Sequence, residues 1–162
     1  MASAGCDQLS ALGLGPHPAA SAPASEPVTS AMVDIRPYSG ELYADFTAGA
    51  GARYSPEQIG LTPADRTRLM AAMASPSAGR LEEGGGAEAL VFRGCAASGC
   101  DLGRAVVAID TTTGAVFAAV RDGEGAEVLS PNDRVEALLR LNSPTRAWDD
   151  PAPAQTASTE DR

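Results

Sequence analysis

Residues 104–129 read RAVVAIDTTTGAVFAAVRDGEGAEVL, and this stretch decides the fold. The runs at 105–109, 115–120 and 127–129, apolar but for Glu127, are too short for stable helices and rich in β-branched and aromatic residues, so each reads as a strand. The separators, TTTG at 111–114 and DGEG at 122–125, are turn chemistry. Connections this short leave room only for antiparallel neighbours, because a parallel return needs a crossover of a dozen or more residues. Upstream, ALVF at 89–92 reads as a further strand, joined to Arg104 by the loop RGCAASGCDLGR at 93–104. The expected product is a β-meander.

Helices flank it. Thr62-Pro63-Ala64-Asp65 is a helix start, with Thr62 as cap, Pro63 in the first turn and Asp65 at the positive end of the dipole. Leu69, Ala72 and Met73 follow at helical spacing, and Ser75-Pro76 ends the run. Ser130-Pro131-Asn132-Asp133 reads as a second start, with Ser130 as cap and Pro131 in the first helical position. Val135, Leu138 and Leu139 line one face of that helix. Glu82-Glu83-Gly84-Gly85-Gly86 reads as a connection. Residues 34–59 hold Tyr38, Leu42, Tyr43, Phe46 and Tyr54, enough for a helix and an edge strand, without a pattern that assigns either. The fold class is therefore α+β, an antiparallel meander of about four or five strands packed with one or two helices.

Composition sets the limits of the domain. The chain has 162 residues, 44% hydrophobic but only 4% aromatic, with 17 Gly and 12 Pro. One domain with an aliphatic core is the default, and part of the chain does not pack. Residues 1–32, which include GPHPAASAPASEPVTS, read as a disordered Ala/Ser/Pro-rich linker, 33–148 as the α+β domain, and 149–162 as a disordered acidic tail. His17, the only histidine, falls in the linker and reads as a bystander. Ser3-Ala4-Gly5-Cys6-Asp7 is similar to the end of a bacterial lipoprotein cleavage site. Were a leader to precede it, Cys6 would carry the lipid of an anchored mature protein.

The formal charge is −9, with 21 carboxylates against 12 basic residues, all arginine. Such a surface repels phosphate backbones and anionic membranes, and a basic protein is the better electrostatic match. No run approaches the roughly 18 apolar residues that span a bilayer.

The two loop cysteines, Cys95 and Cys100, enclose Ala96, Ala97, Ser98 and Gly99. Cysteines this close on adjoining strands reach the Cα separation of about 4.4 to 6.8 Å that a disulfide needs. A ring so small contributes only about 2 kcal/mol by loop entropy, so its larger effect would be to fix a shape for presentation. Two buried free thiols are the alternative. Zinc would need about four ligands, and the folded region offers two thiols and no histidine. Without a core histidine, Ser-His and Cys-His nucleophiles are excluded. Glu82-Glu83 reads as an exposed pair in a connection, and Gly84-Gly85-Gly86 lacks the lysine and following helix of a phosphate cradle. No catalytic residue, metal or cofactor is expected.

The run LVFRGCAASGCDLGRAVVAIDTTTGAVFAAV at 90–120, followed by NDRVEALL at 132–139, resembles the second half of the inhibitor of vertebrate lysozyme (Ivy) family. The resemblance extends over about residues 87–141, and the helix at 63–74 fits in kind. It implies a domain in the bacterial periplasm or on its membranes, with a sheet, a helix against it and a projecting disulfide-closed loop. In the family that loop enters the active-site cleft of a lysozyme, and members are often homodimers. Cys95 and Cys100 match the loop cysteines and Arg104 the basic position after it. The family's inner pattern is Lys-Pro-His-Asp, and Ala96, Ala97, Ser98 and Gly99 match none of it. The lost cation and imidazole make charge-assisted contacts whose absence costs roughly a thousandfold in affinity. The resemblance thus implies an envelope protein that binds a lysozyme or lytic transglycosylase through loop 95–100 and Arg104. The alternative is a structural or oligomerising envelope domain that keeps the fold without inhibiting.

Overall fold

The computed structural model describes residues 32–142 and Trp148. Cys6, His17 and the segments expected as linker and acidic tail lie outside the described residues, apart from Met32. The fold is α+β, as the turn spacing predicts. Strands β1 (Ser75–Pro76), β2 (Arg80–Gly84), β3 (Ala87–Ala96), β4 (Gly99–Asp110), β5 (Val116–Asp122) and β6 (Gly125–Ser130) form one antiparallel sheet. β3 to β6 are the meander, with Phe92 opposite Val107 and Ala108 opposite Phe117.

The first edge differs from expectation. Residues 82–86 are not a connection: Arg80–Gly84 is strand β2, running Arg80 opposite Val91 to Gly84 opposite Ala87. Its turn is Gly85-Gly86, with φ of +58° and +75°, the pair of left-handed residues that a tight hairpin needs. Because β2 is an edge strand and mostly exposed, its sequence lacks the apolar alternation that reveals a strand. β1 occupies the same edge of β3 further along, opposite Gly94 and Cys95. The gap between β1 and β2 is stitched to the N-terminal segment, where Gly79 N–H donates to the Glu41 carbonyl at 2.7 Å and Gly40 N–H to the Gly79 carbonyl at 2.8 Å.

Both faces of the sheet are covered. On one, Leu90, Phe92, Val107, Ile109, Ala118 and Val120 pack against helices α1 (Tyr43–Ala48) and α2 (Pro63–Ala72). On the other, Val91, Val106, Ala108, Phe117 and Ala119 pack against α3 (Asp133–Leu141) and Trp148. This explains the unbroken apolar runs of β4 and β5: a strand buried on both sides has no solvent face to alternate with. Residues 34–59 contain two short 3-10 turns and α1, and no strand, so the edge strand expected there is absent. Their rings instead form a cluster in which Tyr43 and Phe46 each lie 5.3 Å from Phe92 between centroids, and Tyr38 and Tyr54 pack on Phe46.

α2 begins as its sequence predicts, with the Thr62 hydroxyl accepting the Asp65 N–H at 3.2 Å. α3 does not. Its cap is Asn132, whose side chain accepts from Val135 N–H at 3.3 Å. Ser130 is the last residue of β6, paired with Ala118, and its hydroxyl donates to the Val116 carbonyl. The ladder claims Ser130 first, and Asn is an equally good cap two residues later.

Arg68 on α2 braces the helix to the sheet. Its guanidinium donates to both Asp122 oxygens at 2.9 Å and to Glu127, with its side chain only 16% exposed. The Arg68 hydrogen bonds, foremost among several causes, hold the Asp122 carboxyl below its usual range. That contribution is present above the unfolded carboxylate pKa and is lost as pH falls through the lower folded value. Arg68→Met should therefore destabilise the domain at pH 7, with the gap from the unaltered protein shrinking below about pH 4. Urea midpoints measured from pH 7 to pH 2 check this; a gap constant with pH contradicts it.

A Cβ on Gly94 would lie 2.8 Å from both Cα and Sδ of Met73, whereas one on Gly123 meets nothing within 4 Å. Gly94→Ala should cost about 1–3 kcal/mol, as overpacking does, and Gly123→Ala much less. Denaturant titration of both variants reads the difference.

Candidate functional site

The β3–β4 hairpin carries the candidate site at its far tip. Cys95 and Cys100 are joined by a disulfide with Cα atoms 4.6 Å apart. Inside the ring, Ala96 pairs with Gly99, and Ala97-Ser98 is a two-residue turn. Gly99 sits at φ +126°, open to glycine and costly for any other residue. The four inner residues are therefore a compact reversal within the hairpin.

The register shows where chain is spent. Cys95 stands opposite Arg104 while Ala96 stands opposite Gly99, so residues 100–103 of β4 have no counterpart on β3. This excursion is fixed at both ends. The disulfide holds Cys100, and Gly103 is buried, with so little room that a Cβ there would lie 3.1 Å from Cβ of Ala96. Between them Asp101 and Leu102 are exposed, Leu102 at 63%.

The base of the tip is rigid. Gly94 packs on Met73 at the end of α2, and Cys95 pairs across β1 with Ser75. Arg93, half-buried, forms a two-pronged ion pair with Glu82 of β2. Glu82 is thus a structural partner with 15% of its side chain exposed, which corrects the expectation that it is an unsupported loop carboxylate. Arg104 is half-buried in β4 behind the tip, opposite Arg121 of β5. Arg93, Arg104, Cys95, Cys100 and Trp148 line a cleft of about 270 Å³ beside the disulfide.

Of the residues singled out from sequence, Cys95, Cys100, Ala96, Ala97, Ser98 and Gly99 come together at the tip, with Arg104 at its base. Asp101, Leu102 and Gly103, outside that set, also lie at the tip. An acidic and an apolar residue between a cysteine and a glycine is their only sequence signal, and it carries weight once the register is known.

At the opposite end of the sheet, Asp110 is buried and accepts the N–H groups of Thr112 and Thr113 at 2.7 and 2.9 Å. Glu88 accepts from the Thr111 hydroxyl and from Arg36, each at 2.6 Å, and these contacts, the hydroxyl first, hold its carboxyl below the usual range. Both carboxylates are spent on the β4–β5 turn. Among the described residues no group of His, Cys, Asp and Glu is placed to hold a metal ion, and no helix is long and apolar enough to cross a membrane.

The profile described as inhibitor of vertebrate lysozyme (Ivy) matches residues 58–160. The chain belongs to the Ivy family. The match takes in α2, the whole sheet and α3, a longer span than the 87–141 resemblance. Among curated proteins and solved structures, nothing matches. In this Ivy domain the disulfide should contribute about 2 kcal/mol to stability, because the ring it closes is small. Cys95→Ser with Cys100→Ser should lower the denaturation free energy by that amount while leaving the slow hydrogen exchange of residues 105–109 in place. Global unfolding of the double variant contradicts this reading.

Proposed function

We propose that this Ivy-family chain is a bacterial envelope protein whose hairpin tip, closed by Cys95–Cys100, binds and inhibits a lysozyme-type peptidoglycan hydrolase. The observation that carries the reading is the tip itself, a covalently closed, narrow end of a β-hairpin whose base is clamped by β1, α2 and the Arg93–Glu82 pair. A shape held this way loses little entropy on entering a cleft. The disulfide fits an oxidising compartment such as the periplasm, and a lipid on Cys6 would tether the domain there.

Inhibition through this tip is steric. Ala96, Ala97, Ser98 and Gly99 are small enough to enter a narrow cleft and bring no cation to its carboxylates. The acidic surface speeds encounter with a basic hydrolase, an effect that salt removes. Binding is therefore weaker than a cationic loop gives.

Purified oxidised protein should slow the clearing of cell-wall suspensions by at least one member of a panel of lysozymes and lytic transglycosylases. Reduction, or Cys95→Ser, should remove the effect. Ser98→His, at the exposed turn, should tighten inhibition about ten- to a hundredfold by restoring a charge-assisted hydrogen bond. A panel without any inhibited member sinks the reading.

A further inference from the structure

Within the tip, the ring and the excursion differ in what they offer. The ring presents backbone and small side chains, whereas residues 101 and 102 present a carboxylate and a four-carbon apolar group. Leu102, at 63%, is more exposed than any other large apolar residue among those described, the other exposed ones lying between 36% and 49%. Asp101 is the one charged side chain in the span 94–103 and has no ion-pair partner among the described residues. Both residues are exposed, yet the chain on either side of them is held, by the disulfide at Cys100 and by buried Gly103.

We propose that Leu102 and Asp101, outside the disulfide ring, are the residues that select the partner, fitting an apolar pocket bordered by a basic side chain on a lysozyme-type hydrolase. This rests on the proposed function. An exposed apolar side chain gains on burial in a partner's pocket, and a backbone already held on both sides loses less freedom in the process. A carboxylate beside it is costly against an acidic or purely apolar surface and favourable beside a cation, so the pair discriminates among hydrolases. The charge complementarity of an acidic chain for a basic enzyme points the same way.

The test uses the full oxidised chain and two immobilised probes, a basic c-type lysozyme and a lytic transglycosylase, with association and dissociation rates measured for whichever binds. Leu102→Ser should weaken binding about ten- to a hundredfold, mainly through faster dissociation. Asp101→Asn should slow association at low salt, with the difference vanishing at high salt. Met70→Ser, which removes a similarly exposed apolar side chain from α2, should change neither rate. Binding by the unaltered protein with Leu102→Ser equally tight overturns this proposal and leaves the proposed function standing. Failure of the unaltered protein to bind either probe, together with no inhibition across the wider panel, overturns both.

Discussion

The structure depends on burial of both faces of β3, β4 and β5. Val106, Val107, Ala108 and Ile109 point alternately to the two cores, and each is fully buried. A strand so enclosed cannot slip by one residue without exchanging its whole packing on both sides, so the register is fixed from the middle of the sheet outward. Small residues make the enclosure close. Ala105, Ala108, Ala118 and Ala119 let helices approach the strands, and a Cβ on Gly79 would fall 2.5 Å from the Phe92 ring. With few aromatic residues, the core achieves density by proximity more than by bulk.

That fixed register is what gives the far end of the hairpin its character. Strands that continue as a rigid pair to Cys95 and Arg104 deliver the disulfide to a defined place. Beside its contribution of about 2 kcal/mol by loop entropy, the bond acts locally: it keeps the turn narrow where the four-residue excursion begins. The charged groups behind it are braces. Arg93 ties β3 to β2 through Glu82, and Arg68 ties α2 to the β5–β6 hairpin through Asp122 and Glu127. Each bridges two elements that the apolar core alone would leave free to shear.

Much of this could be read from the sequence because the deciding signals are local. The TTTG and DGEG turns fix the antiparallel meander, Thr62-Pro63 fixes the start of α2, and the cysteine spacing fits a closed ring. The misreadings share one cause, which is that pairing with distant residues overrides local chemistry. Gly-Gly between Gly84 and Ala87 is hairpin chemistry, hidden because β2 has no apolar alternation of its own. Ser130 looks like a cap until Ala118 claims its backbone. The aromatic residues of 34–59 follow no period because they form one cluster from two turns and a short helix: Tyr43 and Phe46 meet Phe92, and Tyr38 and Tyr54 pack on Phe46. The excursion at 100–103 is invisible to any local rule, since it exists only as a mismatch in length between two paired strands.

In the function proposed above, that mismatch is what lets a tip without histidine or lysine serve recognition. Affinity from a loop can come from charge placed at its apex or from apolar surface placed on its shoulder, and the two make different demands on the scaffold. An apical cation tolerates some motion, because Coulomb attraction falls off slowly with distance. A shoulder leucine does not, since its contact energy is lost within about an ångström of misplacement. This tip is clamped by a disulfide, by β1 and by the backbone at the end of α2, and in the proposed function such clamping suits the second kind of recognition.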